Sequence, residues 1–345
     1  MKYTLNKLHE KTTNNFKIND ITLDFELPEI KSFHDYEIVS NELEKIKIEI
    51  SEKEVEVTSK IGLTLPKTKV VKLTIPKYVE IREPIIITYN FKENDSLVDT
   101  FEVTFEESSS ADIILKYKSL DNGTHFHHYK EVLVNEKNSK GSISIVNLLN
   151  KNSKNFTAIE NKTYENANIT HNIIDLNGEI RLTNIDSESV EYKSTNTVNN
   201  VYIGKEKQVI DMNYYLKNTG RETNNQLKVE GSLNEESRKN FRGTIDFVKG
   251  CNNSIGEENE NCVLLSNKVV ARSLPELLCG EEDVQGAHGI SSGKVDAEKL
   301  FYIMSRGYSK KEAEKIIIIA NFTSIINEIK DDTTKEEILK EIENI

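Results

Sequence analysis

Residues 85–105 read IIITYNFKENDSLVDTFEVTF, and this stretch shows how most of the chain is built. Residues 85–89 (IIITY) are rich in β-branched side chains, residues 101–105 (FEVTF) alternate apolar with polar side chains, and a polar segment joins them. Runs of this length and pattern are typical of β-strands. They recur from about residue 36 to about residue 284, as in KIKIEI (45–50), EVEVT (54–58) and SISIV (142–146). The sequence therefore predicts a mainly β protein.

Asparagine is unusually frequent in the middle of the chain, with 26 Asn between residues 135 and 267. Asn side chains form hydrogen-bonded ladders when strands stack regularly. This favours a β-solenoid, in which each coil contacts only its neighbours, over a sandwich or a barrel. An AT-rich genome, which raises Asn and Lys everywhere, is the competing explanation. No fixed repeat length is visible, so periodicity alone does not establish a solenoid.

Composition and charge argue against several classes of protein. The net charge of −12 over 345 residues is unfavourable for binding nucleic acid or an anionic membrane. No apolar run reaches the length of a membrane span, and the N-terminus shows no secretory signal, so a cytoplasmic location is predicted. The three cysteines (Cys251, Cys262, Cys279) have no C-x-x-C spacing. A structural zinc site or a disulfide framework is therefore not expected.

Residues 288–295 (HGISSGKV) look like a phosphate-binding loop but lack its essential residues. A Walker-type loop needs Gly-x-x-x-x-Gly-Lys followed by Ser or Thr. His288 stands at the first glycine position, and Val295 stands where a hydroxyl group would contact Mg²⁺. We therefore predict no nucleotide site in this chain.

The last fifty residues change to a helical pattern. Asp296 can cap a helix that begins at Ala297, and Gly307 is placed to end it. Ser309 and Glu312 form a capping box for a second helix, which is apolar around most of its circumference and is therefore expected to be buried.

A third helix is predicted to start with a capping box formed by Thr334 and Glu337. Its apolar face would contain Ile338, Leu339, Ile342 and Ile345. A small helical tail on a β body leaves apolar surface uncovered, and such surface is a candidate partner-binding face.

Residues from about 202 to 330 resemble the SufB/SufD family of iron–sulfur cluster assembly proteins. The motifs that carry the resemblance are NQLKVEG (225–231), FRGTIDFVKG (241–250), CVLLS (262–266), DV (283–284), AHG (287–289), KVD (294–296) and LFYIMSRG (300–307). The last two are the most specific. Residues before about 202 carry no such motif, and the helical N-terminal domain of larger family members is expected to be absent or severely shortened.

The resemblance implies a right-handed parallel β-helix over residues 31–293, preceded by a short N-terminal segment (1–30). It also implies a C-terminal helical segment (294–345) that binds the SufC ATPase. A second SufB/SufD-type subunit, identical or paralogous, would lie alongside, and the two would build the cluster at their interface with sulfur from a donor. The residues expected to contact the ATPase are Leu300, Phe301, Tyr302, Met304, Arg306, Ile316 and Ile317.

Candidate ligands for a transient iron–sulfur cluster lie close together in the sequence LLCGEEDVQGAHG. Thiolate, imidazole and carboxylate groups ligate such clusters, and Cys279, Glu281, Glu282 and His288 fall within ten residues. A loose, mixed set would suit a scaffold that must release its cluster. The alternative is a buried cysteine and solvated glutamates.

The resemblance adds two further candidates and an assignment for His288. SufB-type proteins carry a sulfur-accepting cysteine shortly before the leucine-rich strand, and that position is Glu260 here. Cys262 lies two residues later, on the same strand face, and could substitute for it. His288 matches the histidine that both paralogues carry near the subunit interface, and the following Gly289 is SufD-like. A SufD-like subunit and the single scaffold of a reduced system both remain open.

The sequence also allows a metal-binding interpretation of one histidine cluster and a different class of function. His125 and His127 in HFHH (125–128) would share a strand face and suit a divalent ion, but no third ligand is identifiable, and pairs of exposed histidines on strands are common. No nucleophile–base pair is visible, so no independent catalytic activity is predicted.

The competing function is a β-helical carbohydrate-binding or carbohydrate-cleaving protein. Such proteins usually need export and aromatic grooves, whereas this chain has no Trp and is 7% aromatic.

Overall fold

The computed structural model describes residues 1–9, 17–52, 56–66 and 69–343. Within them the chain is mainly β, with three helices at the C-terminal end. The strands are β1 (Lys2–Leu5), β2 (Ile21–Asp24), β3 (Tyr36–Val39), β4 (Lys47–Ser51), β5 (Glu56–Thr58), β6 (Thr64–Pro66), β7 (Lys69–Ile75), β8 (Ile85–Phe91), β9 (Ser96–Phe105), β10 (Ser110–Ser119), β11 (Phe126–Asn135), β12 (Lys140–Leu148), β13 (Lys154–Thr163), β14 (Asn168–Asp175), β15 (Ile180–Ser189), β16 (Thr195–Gly204), β17 (Val209–Asn218), β18 (Asn224–Leu233), β19 (Arg238–Phe247), β20 (Ser254–Leu264), β21 (Val270–Cys279) and β22 (Val284–Gly293). The helices are α1 (Ala297–Ser305), α2 (Lys310–Ile326) and α3 (Asp332–Glu343).

Strands β7 to β22 wind into a β-solenoid of about eight turns, which confirms the predicted fold class. Even-numbered strands from β8 to β22, together with β3, form one sheet (the even sheet), and odd-numbered strands from β7 to β21, together with β4, form the other (the odd sheet). Successive coils pair in parallel, but the number of residues per coil varies. Lys154 pairs with Ile180 of the next coil, whereas Arg238 pairs with Val270, which is further along the chain. Because the coils differ in length, the sequence shows no fixed period.

One column of turns explains part of the asparagine content. In seven successive coils the turn residue has a positive φ, and its backbone N–H donates to a carbonyl of the next coil. Asn tolerates this left-handed conformation better than most residues. The residues in the column are Tyr78, Ser108, Asn138, Asn166, Lys193, Glu222 and Asn253.

Polar side chains are also stacked between coils, as the asparagine content predicted. Asn199 Nδ2 donates to Asn172 Oδ1 at 2.9 Å, and these residues are register partners in β16 and β14. The expected exposure of the HFHH histidines is wrong, because both His125 and His127 are fully buried. His127 lies 3.2 Å from Asp99 Oδ1 and 2.7 Å from Asn155 Oδ1, so interior hydrogen bonds engage its ring.

The two ends of the solenoid differ. At the N-terminal end, β3 and β4 pair in antiparallel fashion with β8 and β7, and the ring of Phe33 packs 4.8 Å from that of Phe91. At the C-terminal end, β21 and β22 are the last strands of their sheets, and nothing in the described ranges pairs with their outer edges. Solenoids need a cap at each terminus. The described residues close one end of the solenoid and leave the other end, which we call the open end, uncovered.

The N-terminal segment covers the outer face of the odd sheet. Leu5 and Phe25 join a buried cluster with Phe126 and Phe156 of that sheet. Asn6, in a left-handed conformation, donates to Asp211 Oδ1 at 2.8 Å. These contacts join residues that are far apart in the sequence. The N-terminal segment is polar and weakly patterned, so its packing on the odd sheet could not be predicted from the sequence.

Helices α2 and α3 cover the outer face of the even sheet, where Phe322 and Ile338 pack with Val146, Ile174 and other apolar residues. The caps of the first two helices are confirmed. Asp296 accepts hydrogen bonds from the first turn of α1, and Ser309 with Glu312 forms the capping box of α2.

The predicted start of the third helix is wrong. Helix α3 begins at Asp332, and the Asp331 carboxylate accepts from Thr334 N at 2.7 Å. Thr334 is buried, and Glu337 pairs with Lys116 and Lys118 of the sheet. Ile345 lies outside the described residues.

Replacing Phe322 with alanine should loosen the helical layer from the sheet. The ring is 1% exposed, and losing a buried aromatic ring costs about 3–5 kcal/mol. We expect hydrogen exchange in α2 and α3 to accelerate strongly while the solenoid strands are unaffected. Thr323→Ala, at the exposed neighbouring position, is the control; equal exchange in the two variants would contradict this packing.

Candidate functional site

The sequence-predicted ligands lie at or beneath the open end. In the ladder between β20 and β22, Glu258 pairs with His288, Glu260 with Ile290, and Cys262 with Ser292. Alternate residues of β20 face the solenoid interior. His288 therefore occupies the interior-facing position one coil beyond Glu258, at the end that no further coil covers.

Glu260 is fully engaged in a buried polar cluster. Lys239 Nζ forms an ion pair with Glu260 Oε1, Tyr202 OH donates to the same oxygen at 3.1 Å, and Ser273 Oγ donates to Glu260 Oε2 at 2.6 Å. The Tyr202 ring fits because Gly231 is its register partner, and a Cβ there would come within 2.0 Å of the ring. With these three partners, Glu260 has little remaining capacity to bind a metal ion.

Cys262 lies on the same interior face as Glu260, as the two-residue spacing predicted, and is 1% exposed. Burial raises the pKa of its thiol, and the nearby ammonium group of Lys239 opposes this effect. Metal ligation requires the thiolate. In this conformation Cys262 is therefore a protonated core residue.

Glu258 differs from its neighbour Glu260. It is also fully buried, but within the described residues neither carboxyl oxygen has a hydrogen-bond partner. The carboxyl group fills the space beside Gly243 of the odd sheet, where an added Cβ would lie 2.2 Å from Glu258 Oε1. Burial, together with the charges of Glu260 and Glu276, raises the pKa of Glu258 to about 8.

Sequence reasoning did not identify Glu258. A signal was present in residues 256–262 (GEENENC), because every second residue of this stretch faces the interior and two of them are glutamates.

The turn between β21 and β22 contains the other predicted ligands. Cys279 is exposed and ends β21, in register with the core residue Phe247. Glu281 accepts hydrogen bonds from the backbone N–H groups of Gly250 and Glu282, each at 2.9 Å, and these bonds lower its pKa. Glu282 itself is exposed.

These residues do not form a preassembled metal site. In the part of the chain that the structure describes, no three His, Cys, Asp or Glu side chains are grouped so that they could hold a metal ion. Cys279, Glu281, Glu282 and His288 thus share one end of the solenoid without converging on one point, and their role as ligands stays a prediction.

The predicted ATPase-binding residues are mostly exposed. None of the residues of α1 is buried; Phe301 is 75% and Tyr302 58% exposed, and Arg306 donates to Tyr302 OH at 2.9 Å. Met304 and Ile316 are exposed too. A groove of about 490 Å³ separates α1 from α2 and is lined by residues that include Tyr302, Ile316 and Ile317.

Leu300 differs from the rest of this predicted set. It is half-buried and lines a smaller cavity of about 250 Å³ with Leu264 and Leu265 of the solenoid, so it faces the body of the protein.

Among the described residues, the fold and these surfaces define a β-solenoid protein whose last coil has no cap and whose first C-terminal helix is mostly exposed. A family model described as "SUF system FeS cluster assembly, SufBD core domain" matches residues 88–321. This is more than half of the chain, so the protein belongs to the SufB/SufD family of SUF-system iron–sulfur cluster assembly proteins. The resemblance inferred from the sequence motifs is confirmed.

Individual relatives are more distant. The iron–sulfur cluster assembly protein SufD of Bacillus subtilis is 24% identical over 282 residues, which cover 79% of this chain and 63% of that protein. SufD of Escherichia coli is 23% identical over 167 residues (48% and 40%), and SufB of Bacillus subtilis 26% over 92 residues (26% and 20%). The chain thus matches less than two thirds of the length of either SufD. Among the described helices, none has the length and apolar character needed to cross a bilayer.

Replacing Lys239 with methionine should destabilise the last coils. Removing one partner of a buried ion pair leaves an unpaired charge and costs about 3–5 kcal/mol. We expect Lys239→Met to lower the free energy of unfolding by roughly that amount and Lys239→Met/Glu260→Met to recover most of it, as measured by denaturant unfolding. Lys268→Met, which breaks an exposed pair with Glu236, should cost less than about 1 kcal/mol. If the first and third variants lose equal stability, the buried cluster is not as described.

Glu258 should make stability depend on pH. Between pH 4.5 and about 8 the folded chain keeps a proton on Glu258 that the unfolded chain has lost. The unfolded state then binds fewer protons, so the wild-type protein loses stability as pH rises through this window. At about 1.4 kcal/mol per unit of pKa shift, the gain from Glu258→Gln should approach roughly 4 kcal/mol at pH 8 and vanish near pH 4. The exposed neighbour variant Glu257→Gln should show no such trend in parallel unfolding curves.

Proposed function

We propose that this protein is a scaffold subunit of a SUF-type iron–sulfur cluster assembly complex and has no catalytic activity of its own. The observation that carries the proposal is the open end. Two ten-residue strands, β21 and β22, end their sheets, and no described residue caps them. His288, which matches the family histidine, lies on β22. The cluster is cargo here, built and released rather than kept.

The open end supports pairing with a second SufB/SufD-type subunit. An uncovered strand edge presents unpaired N–H and C=O groups and readily accepts another strand. Most residues of β22 are exposed on both faces of the sheet. A partner that covers β22 would enclose His288 and stand beside Cys279, so that ligands from two chains, with sulfide from a donor, would complete the site that one chain lacks.

Helix α1 supports binding of the SufC-type ATPase. A monomeric protein rarely exposes neighbouring aromatic and aliphatic side chains without a binding role. Phe301, Tyr302 and Met304 form such a surface beside the groove between α1 and α2. Only residues 294–296 separate α1 from β22, so a movement of the ATPase that shifts α1 would be transmitted directly to the strand that carries His288.

The role is closer to SufD than to SufB. The SufD match spans 282 residues and the SufB match 92, and Glu260, at the position of the SufB sulfur-accepting cysteine, is locked in its ion pair. We propose that Cys279 and His288, rather than Cys262 or Glu260, contact the nascent cluster.

Replacing Phe301 with aspartate should abolish co-purification with the SufC-type ATPase from the same cells, because a charge would sit in the centre of the apolar contact. Ile317→Asp should act in the same direction. Leu120→Asp is the matched control, since Leu120 is 59% exposed but lies on a solenoid turn. Quantitative pull-down measures the outcome. Retention of the ATPase by Phe301→Asp, or polysaccharide binding without ATPase binding, would contradict the proposal.

A further inference from the structure

Glu258 is an unusual carboxyl group in this structure. Neither of its oxygens has a hydrogen-bond partner within the described residues, although the side chain is 0% exposed. Buried polar groups without partners cost free energy, on the order of 1–3 kcal/mol each and more for charged ones. Packing does not require a carboxyl group here, since an apolar residue of similar size could fill the space beside Gly243 without an unpaired polar group.

The surroundings separate Glu258 from the structural carboxylates. Two residues along the same strand face, Glu260 is matched with Lys239, Ser273 and Tyr202. Glu258 has no comparable partner, and its register neighbour toward the open end is His288. Register neighbours in adjacent strands lie about 4.8 Å apart, so Glu258 and His288 occupy neighbouring positions along the solenoid axis.

We propose that Glu258 is a ligand for a divalent first-row metal ion and that it acts with His288 just beneath the open end. Carboxylate and imidazole together suit Fe(II) and its neighbours, and neither is a thiolate, so the pair holds a metal ion before sulfur is present. Two ligands leave coordination positions free for sulfide or for a second subunit. This inference rests on the proposed function for its biological meaning, but the metal site itself can be tested separately.

Gly243 belongs to the same site as a positioning residue. Because it has no side chain, the Glu258 carboxyl can cross the interior from the even sheet to the odd sheet. A Cβ at this position would lie 2.2 Å from Glu258 Oε1 and would displace the flexible end of the glutamate rather than backbone. Gly243→Ala therefore moves the proposed ligand without removing it.

The test is an anaerobic titration of the full-length protein with Co(II), followed by visible absorption and calorimetry. Wild-type protein should bind one Co(II) per chain, and Glu258→Gln and His288→Ala should each weaken binding at least about tenfold. The control is Glu257→Gln, which removes an exposed carboxylate from the opposite face of the same strand and should bind as wild type does. Wild-type affinity in Glu258→Gln, or no Co(II) binding by the wild-type protein, would overturn the proposal.

Two further measurements keep the result decisive. Thermal unfolding should show that Glu258→Gln is at least as stable as wild type, so that a loss of binding is not a loss of folding. If Glu258→Gln does not fold, Gly243→Ala is the deciding variant. Weaker Co(II) binding by Gly243→Ala is expected, and wild-type affinity would count against the site. ATPase pull-down on the same variants separates the two proposals. Glu258→Gln that retains both the ATPase and wild-type Co(II) affinity refutes the metal site alone, whereas a wild-type chain that never binds the ATPase refutes the scaffold role alone.

Discussion

Every coil of a parallel solenoid must be covered on both sides, because its strand edges carry backbone groups that need partners and its interior side chains need neighbours. This constraint organises the whole protein. It is met at the N-terminal end by two antiparallel strands and the Phe33 ring, and between coils by continuous parallel ladders. It is not met by the described residues at β21 and β22. The proposed function and the proposed metal site both follow from that one unmet requirement.

The outer faces of the solenoid are covered by the two ends of the chain. The N-terminal segment packs on the odd sheet and α2 with α3 on the even sheet, each through its own apolar cluster. Helix α1 follows the last strand in the chain, and none of its residues is fully buried. The uncovered surfaces are therefore contiguous along the chain, from β22 through residues 294–296 to α1, and the rest of the described molecule is closed around them.

The sequence predicted local structure well, because local structure has local causes. Alternating apolar residues gave the strands, Asp296 and Ser309 gave the helix starts, and asparagine content indicated stacked coils. The third helix was misplaced because Asp331 competes for the same cap, a choice that depends on the burial of Thr334 against the sheet. The predicted exposure of the HFHH histidines was wrong because the burial of a side chain in a solenoid depends on neighbouring coils that are distant in the sequence.

The candidate site could be located but not constructed from the sequence. Spacing brought Cys279, Glu281, Glu282 and His288 together within ten residues, yet a strand end, a turn and a strand interior hold them in different positions. Glu258 becomes notable only when Gly243 of the opposite sheet and Lys239, which pairs with the other glutamate, are seen in three dimensions.

The contrast between Glu260 and Glu258 distinguishes two uses of a buried carboxylate in one strand. Glu260 stabilises the interior, because Lys239 neutralises its charge and its oxygens accept hydrogen bonds. Its removal should therefore reduce folding stability more than it reduces cluster assembly. Glu258 lowers the stability of the fold, since a buried carboxyl group with no partner destabilises the coil that holds it. Such a group is useful to the protein only if a ligand binds to it. Glu258 lies directly beneath the open end, in register with His288. A metal ion can reach this position without disturbing any coil that is covered on both sides.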